Sequence, residues 1–244
     1  MSDVARNLET VRARIGAAAV RSGRPADAVR LVLVTKTVPP GRVRLALDAG
    51  QRVLGENKVQ EGRAKAEALA DAPIRWSMIG HLQTNKVKDV LRFAHEVQSL
   101  DRLPLAAALE KRLQQLGRGL DVLVQVNTSG ETSKYGLAPD EVMPFLQALA
   151  AFDSLRPYGF MTLARFTADT DEIRRCFRVL HAIRARARQE APQGERLADL
   201  SMGMSGDYEI AIEEGATIVR VGQAVFGPRP TSDSSYWPEA ASGS

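Results

Sequence analysis

The sequence predicts an α/β fold of one kind: eight parallel strands, each followed by a helix, closed into a single (β/α)8 barrel. Three observations carry that expectation. Short, apolar, β-branched runs alternate with amphipathic segments eight times along 244 residues, as a parallel sheet buried on both faces requires. No linker or shift in composition divides residues 1–227, and about 250 residues is the usual size of such a barrel. Polar residues gather just after the apolar runs, where barrels of this kind build their sites.

Residues 3–21 open the chain as an amphipathic helix. Val4, Leu8, Val11, Ile15 and Ala18 recur at steps of three and four, and Gly23-Arg24-Pro25 stops the helix. Residues 30–36 form the first strand, closed by Pro39, Pro40 and Gly41. Residues 42–49 read as a helix ended by Gly50, 52–55 as a short strand, 58–70 as a helix and 75–80 as the third strand. A helix is expected over 86–93 and the fourth strand over 96–100. The helix over 103–116 is expected to be capped by Asp101 and stopped by Gly117. The fifth strand, 121–127, leads into a polar loop, and Pro139-Asp140-Glu141 opens the next helix. The sixth strand lies within 155–163, and a long helix over 171–190 turns Ile173, Phe177, Leu180, Ile183 and Ala187 inward. Strands over 199–203 and 217–221 complete eight. Residues 228–244 differ: Pro228, Pro230 and Pro238 lie among Ser, Thr and Ala. They are expected to form a flexible tail outside the domain.

Composition narrows the function. Hydrophobic residues make up 44% and charged residues 25%, as in ordinary soluble globular proteins. Cys176 is the single cysteine, so no disulfide framework is expected and a reducing cytoplasm suits the chain. The three histidines are far apart and form no HxxxH or HExxH pair, so no metal site is expected. No run approaches a membrane span, and residues 1–22 lack the apolar core of a signal peptide. The net charge of +4 is dispersed. Arg174, Arg175, Arg178, Arg184, Arg186 and Arg188 fall on a helix whose apolar stripe already explains their spacing. They read as a solvated face, and no nucleic-acid partner is expected.

The strand ends carry the chemistry. Lys36 follows four consecutive apolar residues, Leu31 to Val34. A partly desolvated lysine there can lose its proton and attack a carbonyl, forming a Schiff base. On this segment alone, a lysine reaching for water at a strand end explains the pattern as well. The same rim gathers Asn57 after strand two, His81 and Asn85 after strand three, and Thr128, Ser129 and Lys134 after strand five. Met161 and Thr162 follow strand six, Ser205 strand seven, and Gly222 and Gln223 strand eight. The glycine turns at 202–207 and 220–224 offer hydroxyl and backbone N–H donors suited to a phosphate; ordinary turns would look alike. Alternation with Ile218 points Arg220 into the barrel. There it either pairs with a core carboxylate or faces a ring nitrogen of a cofactor. Trp76, Met78 and Cys176 read as core, and His81 as either a rim hydrogen bond or a site residue.

Segments spread over nearly the whole chain, in order, resemble the pyridoxal phosphate homeostasis protein family. They are Val34-Thr-Lys-Thr37, Leu54-Gly-Glu-Asn-Lys-Val-Gln-Glu61 and Trp76-Ser-Met-Ile-Gly-His-Leu-Gln-Thr-Asn-Lys86, then Gln125 to Gly136, Gly159-Phe-Met-Thr162, Leu200 to Ser205 and Arg220 to Gly227. The family's fold resembles the N-terminal barrel domain of alanine racemase. The resemblance implies pyridoxal 5′-phosphate (PLP) as cofactor, held as a Schiff base on Lys36. It implies phosphate contacts from Ser205, Gly222 and Gln223, and Arg220 near the pyridine nitrogen. Asn57, Met161 and Asn85 would line the cofactor. Gln223 departs from the family, which often has a small hydroxyl residue there, so a side-chain hydroxyl bond is lost while the backbone N–H remains.

An arginine cannot take up a proton, so it leaves the ring nitrogen neutral and the electron sink weak. The resemblance therefore implies a carrier that buffers or delivers cofactor, with no catalytic residues. The alternative is a PLP-dependent amino-acid racemase of narrow scope, with Tyr135, Tyr158 and Tyr208 as local acids to consider. Lys134 reads either as a transfer lysine or as a surface or phosphate-facing charge. Expected partners are PLP and PLP-dependent apo-enzymes, and the expected state is a cytoplasmic monomer.

Overall fold

The computed structural model describes residues 1–228. Apart from Pro228, the tail expected over 228–244 lies outside them. The sheet is a closed barrel of eight parallel strands paired in sequence order. They are β1 (Arg30–Val34), β2 (Val53–Glu56), β3 (Arg75–Met78), β4 (Glu96–Leu100), β5 (Leu120–Gln125), β6 (Leu155–Met161), β7 (Asp199–Ser201) and β8 (Ile218–Val221). Helix α1 (Asp3–Arg21) precedes them. The helices that follow each strand are α2 (Pro40–Asp48), α3 (Val59–Ala68), α4 (Val87–Val90), α5 (Leu103–Leu116), α6 (Val142–Leu149), α7 (Thr170–Glu190), α8 (Tyr208–Glu213) and α9 (Gln223–Phe226).

The strands are shorter at their carboxyl ends than the apolar runs suggest. Thr35 still bonds Gly55 through its backbone, but Lys36 and Thr37 leave the ladder and form the rim. The helix expected over 86–93 is a 3-10 turn, Thr84–Lys86, and a single α turn. Phe93 and Ala94 are buried as the chain folds back, and His95 N–H already donates to the Trp76 carbonyl. Asp101 does not cap α5. The residue at the cap is Arg102, and the Asp101 carboxylate takes the Arg102 guanidinium at 2.6 Å instead. Gly117 ends α5 in the left-handed conformation, φ 62°, as its lack of a side chain permits.

The apolar core has two layers. The larger lies between sheet and helices and takes in Val4, Leu8, Val11, Ile15 and Ala18 of α1, together with Trp76, Met78 and Cys176. The smaller fills the barrel with Val32, Leu123, Met161 and Ile218. A polar column runs beside this inner cluster. Arg30 and Arg75 reach Glu96 at 3.0 and 3.3 Å, and Ser77 and Gln98 donate to the same carboxylate at 2.6 and 2.7 Å. Gln98 accepts from Ser201 Oγ at 2.7 Å, and Ser201 Oγ accepts from Arg220 at 2.7 Å. Buried polar groups stay buried when each is bonded in this way.

The barrel closes where β1 meets β8, with Leu31 opposite Val219 and Leu33 opposite Val221. Helix α1 packs on α8 and α9 over this seam. Asn7 donates to the Val225 carbonyl at 3.1 Å, and Arg42 bridges Asp3 and the Phe226 carbonyl at 2.8 and 3.2 Å. No helix among the described residues is long and apolar enough to cross a membrane.

Candidate functional site

The chain leaves β1 through Thr35 and turns sharply at Thr37, so Lys36 stands at the carboxyl end of the strand with 8% of its surface exposed. It lines a cleft of about 490 Å³, with Asn57, Lys58, His81, Lys86, Gln125 and Tyr135 around it. Ile79 and Leu163 complete the apolar part of the wall and pack on the inner cluster that contains Met161. Met161 itself is 1% exposed and lies beneath this wall.

Two aromatic rings stack on each other in the cleft wall. His81, after β3, stacks on Tyr135, after β5, with centroids 3.7 Å apart and planes 15° apart. Burial lowers the His81 pKa, with Arg102 adding to it, and outweighs the opposing Asp101 carboxylate 3.6 Å away. The imidazole is therefore neutral at pH 7. The loops after β2 and β3 touch through their backbones: a Cβ on Gly80 would lie 2.2 Å from the Asn57 carbonyl oxygen. Gly80→Ala must push Asn57 out of the cleft wall. We expect a stability loss of about 2 kcal/mol, readable in urea unfolding, and weaker ligand binding at the cleft. Binding and stability equal to the parent protein would refute that account of Gly80.

The second part of the site lies between β7 and β8. Gly203 adopts φ 93°, and a Cβ there would meet Ala211 at 2.6 Å, so this turn requires glycine. Asp207 accepts from Met204 N–H at 2.5 Å and steadies the loop that carries Ser205. Ser205 Oγ accepts from the N–H groups of Gly222 and Ala224 at 3.3 Å each. A Cβ on Gly222 would lie 2.9 Å from the Val34 carbonyl oxygen, so these donors sit against the end of β1, two residues before Lys36. A hydroxyl and closely spaced backbone N–H groups at the start of a helix are a donor set that suits a phosphate. Gln223 is exposed and contributes the first residue of α9.

Arg220 is 3% exposed and donates to Ser201 Oγ and to the Thr162 carbonyl, both at 2.7 Å. Among the described residues it makes no ion pair, so the core salt bridge considered from sequence is absent. Burial pushes its pKa down to about 10, with Asp207 pulling the other way. It remains a cation at neutral pH.

Of the residues singled out in the sequence, Lys36 and Asn57 share the cleft wall, Met161 lies below it, and Ser205, Gly222 and Gln223 form the turn beside it. Asn85 is exposed on the 3-10 turn and is not part of the cleft lining. Lys134 Nζ lies 2.5 Å from Glu131 and donates to the Ala164 carbonyl at 2.8 Å, outside the lining. Tyr158 is turned toward Arg30, which it meets at 3.0 Å, and burial raises its phenol pKa far above the ordinary value. Tyr208 is buried in the outer core. Neither lines the cleft; Tyr135 does. Sequence reasoning missed Lys58, Lys86 and Gln125 in the cleft wall, and also a buried cluster of Glu56, Glu61 and Lys65 behind Lys36. The signal for that cluster was present in the segment 54–61 and in the i,i+4 spacing of Glu61 and Lys65.

A barrel with a lysine at the end of β1 and a phosphate-type turn after β7 and β8 defines a class: residues 4–230 match the family model described as "Alanine racemase, N-terminal domain". Proteins named pyridoxal phosphate homeostasis protein are similar along almost their full length. The one from Aquifex aeolicus is 40% identical over 91% of this chain and 96% of its own. The one from Pseudomonas aeruginosa is 41% identical over 94% and 97%. Among solved structures, PipY of Synechococcus elongatus, determined with PLP bound, superposes with a TM-score of 0.80 at 33% identity, over 92% of this chain and 100% of that one. The chain belongs to the pyridoxal phosphate homeostasis protein family.

Proposed function

We propose that the protein binds PLP covalently and reversibly through Lys36 and serves PLP homeostasis by buffering or delivering the cofactor. The observation that carries this reading is the placement of Lys36, nearly buried, in the wall of a cleft whose neighbouring turn offers phosphate donors. When bound, PLP supplies an aldehyde that condenses with a primary amine and a ring that withdraws electrons from it. Lys36 provides the amine. Ser205 and the N–H groups of Gly222 and Gln223 hold the phosphate, Gln223 through its backbone alone. Arg220, fixed by Ser201 and Thr162, presents a cation to the ring nitrogen and cannot give it a carboxylate's help in gaining a proton. Asn57 borders the ring, Met161 underlies the wall beneath it, and Asn85 stands further out.

In this reading residues 1–227 are the binding domain and 228–244 an appended segment. The protein works in the cytoplasm as a monomer and passes cofactor to PLP-dependent apo-enzymes. Lys134, held by Glu131 on the same rim, is the second amine available to a departing cofactor. Borohydride reduction of the protein with PLP, followed by peptide mapping, tests the reading. The expected product is a single adduct on Lys36. An unmodified Lys36 would overturn it. The position of Tyr135 in the cleft wall favours one competitor, a racemase of narrow scope. That reading requires exchange of an amino acid's α-proton in deuterated water, and a panel of amino acids without exchange would end it.

A further inference from the structure

Lys36 is held from both sides by a charged cluster that the proposed binding does not use. Thr35, on its amino side, is fully buried and donates Oγ1 to Glu56 Oε1 at 2.5 Å. The Thr35 carbonyl accepts from Lys65 Nζ. Thr37, on the carboxyl side, donates its backbone N–H to Glu61 Oε1 at 2.5 Å. Lys65 Nζ joins the two carboxylates, 2.6 Å from Glu56 Oε1 and 2.7 Å from Glu61 Oε1. The end of β2 and the first turns of α3 thus converge on the two neighbours of one residue.

Two further features separate this cluster from an ordinary core ion pair. Thr37 has φ 65°, and only Gln193 shares that region among the described non-glycine residues. A β-branched residue takes up this conformation only when its surroundings impose it. Glu56 Oε2 is buried and has no hydrogen-bond partner, so this carboxylate is bound through Oε1 alone.

We propose that Glu61, braced by Lys65 and Glu56, is a positioning residue for Lys36: its bond to the Thr37 N–H holds the left-handed turn that directs the lysine into the cleft. Once that bond is lost, Thr37 relaxes toward negative φ and Lys36 turns with it. The inference rests on the reading of Lys36 as the cofactor amine, and its test separates the two.

The test compares the parent protein with Glu61→Ala, Glu61→Gln, Thr37→Gly and the double variant Glu61→Ala/Thr37→Gly. PLP affinity is measured by titration. In the cofactor-free protein, the rate at which propanal and borohydride alkylate Lys36 is measured by peptide mapping, beside the melting temperature. Glu61→Ala should lose about tenfold in both PLP affinity and Lys36 alkylation, the population cost of releasing one strained residue. Glu61→Gln keeps an acceptor for Thr37 N–H and should stay close to the parent. Glycine adopts the left-handed turn unaided, so Thr37→Gly should restore much of the loss in the double variant. Lower melting temperatures with unchanged Lys36 alkylation, or a double variant no better than Glu61→Ala, would overturn the positioning role. If Glu61→Ala does not fold, Glu61→Gln and Thr37→Gly decide: both must retain Lys36 alkylation. If PLP never reacts at Lys36 while propanal alkylation follows the Glu61 variants as expected, the cofactor reading fails and the positioning of Lys36 stands.

Discussion

Lys36→Ala will remove the visible chromophore that PLP develops with the protein and will weaken PLP binding by at least about a hundredfold, or ~3 kcal/mol. The expectation follows from how the site divides. In the proposed reading the turn at Ser205, Gly222 and Gln223, whose Gly222 N–H now donates to Ser205 Oγ, holds the phosphate with a few neutral N–H and hydroxyl donors, each worth about 1 kcal/mol net. Donors of that strength give weak, exchangeable binding, and in the proposed reading the covalent link to Lys36 raises it. The bonds that fix Thr35 and Thr37 do not use the lysine side chain, so the variant keeps the local backbone of the turn. Absorbance titration and equilibrium dialysis read the two effects separately. Binding equal to the parent's would place the essential amine elsewhere.

Glu96→Ala will have the largest effect on stability, a loss of about 3–5 kcal/mol in urea unfolding. Its carboxylate has no exposed surface and is the meeting point of Arg30, Arg75, Ser77 and Gln98. Truncation leaves the buried Ser77 and Gln98 side chains facing a void and takes a carboxylate from Arg30 and Arg75, which keep Tyr158 and Asp121. The same carboxylate makes stability depend on pH. Burial alone would raise its pKa, but Arg30, Ser77, Gln98 and Arg75 together outweigh burial and hold it below the ordinary value of 4.5. A folded pKa below the unfolded one means the unfolded chain takes up the proton first. The stabilisation is complete above the ordinary value and is lost as pH falls through the folded pKa. Glu96→Gln should therefore show a shallower acid limb in its stability profile. An unchanged limb would mean that other carboxylates govern acid unfolding.

The order and number of strands were legible because the signals are local. An apolar β-branched run, a breaker and an amphipathic stretch each lie within a dozen residues. The inward direction of Arg220 followed from strand alternation with Ile218, but its partners did not. Ser201 lies on β7 and Thr162 just past the end of β6, and their distance from Arg220 depends on barrel register. Asp101 looked like a cap because of its type and place. The adjacent Arg102 outcompeted the helix N–H groups for it. The stack of His81 on Tyr135 joins loops after two strands that are not neighbours in the sheet, which no periodicity encodes. Glu56 and Glu61 stood in a segment already marked as distinctive, and Lys65 lies four residues beyond it. Their purpose required knowing that α3 turns back over the end of β1.

Closure of the sheet between its first and last strands has a consequence for synthesis. While residues 218–226 are still within the ribosome, β1 has no neighbour on one side and the newest strand has none on the other. The apolar stripe of α1, packed early on α2, waits for α8 and α9, made about 200 residues later. The nascent chain thus carries two open sheet edges and a partly uncovered helix for most of its production, and such edges recruit other chains. Premature termination before Ile218 therefore does not yield a smaller working protein. It leaves an open sheet whose unpaired edges can template pairing with other chains.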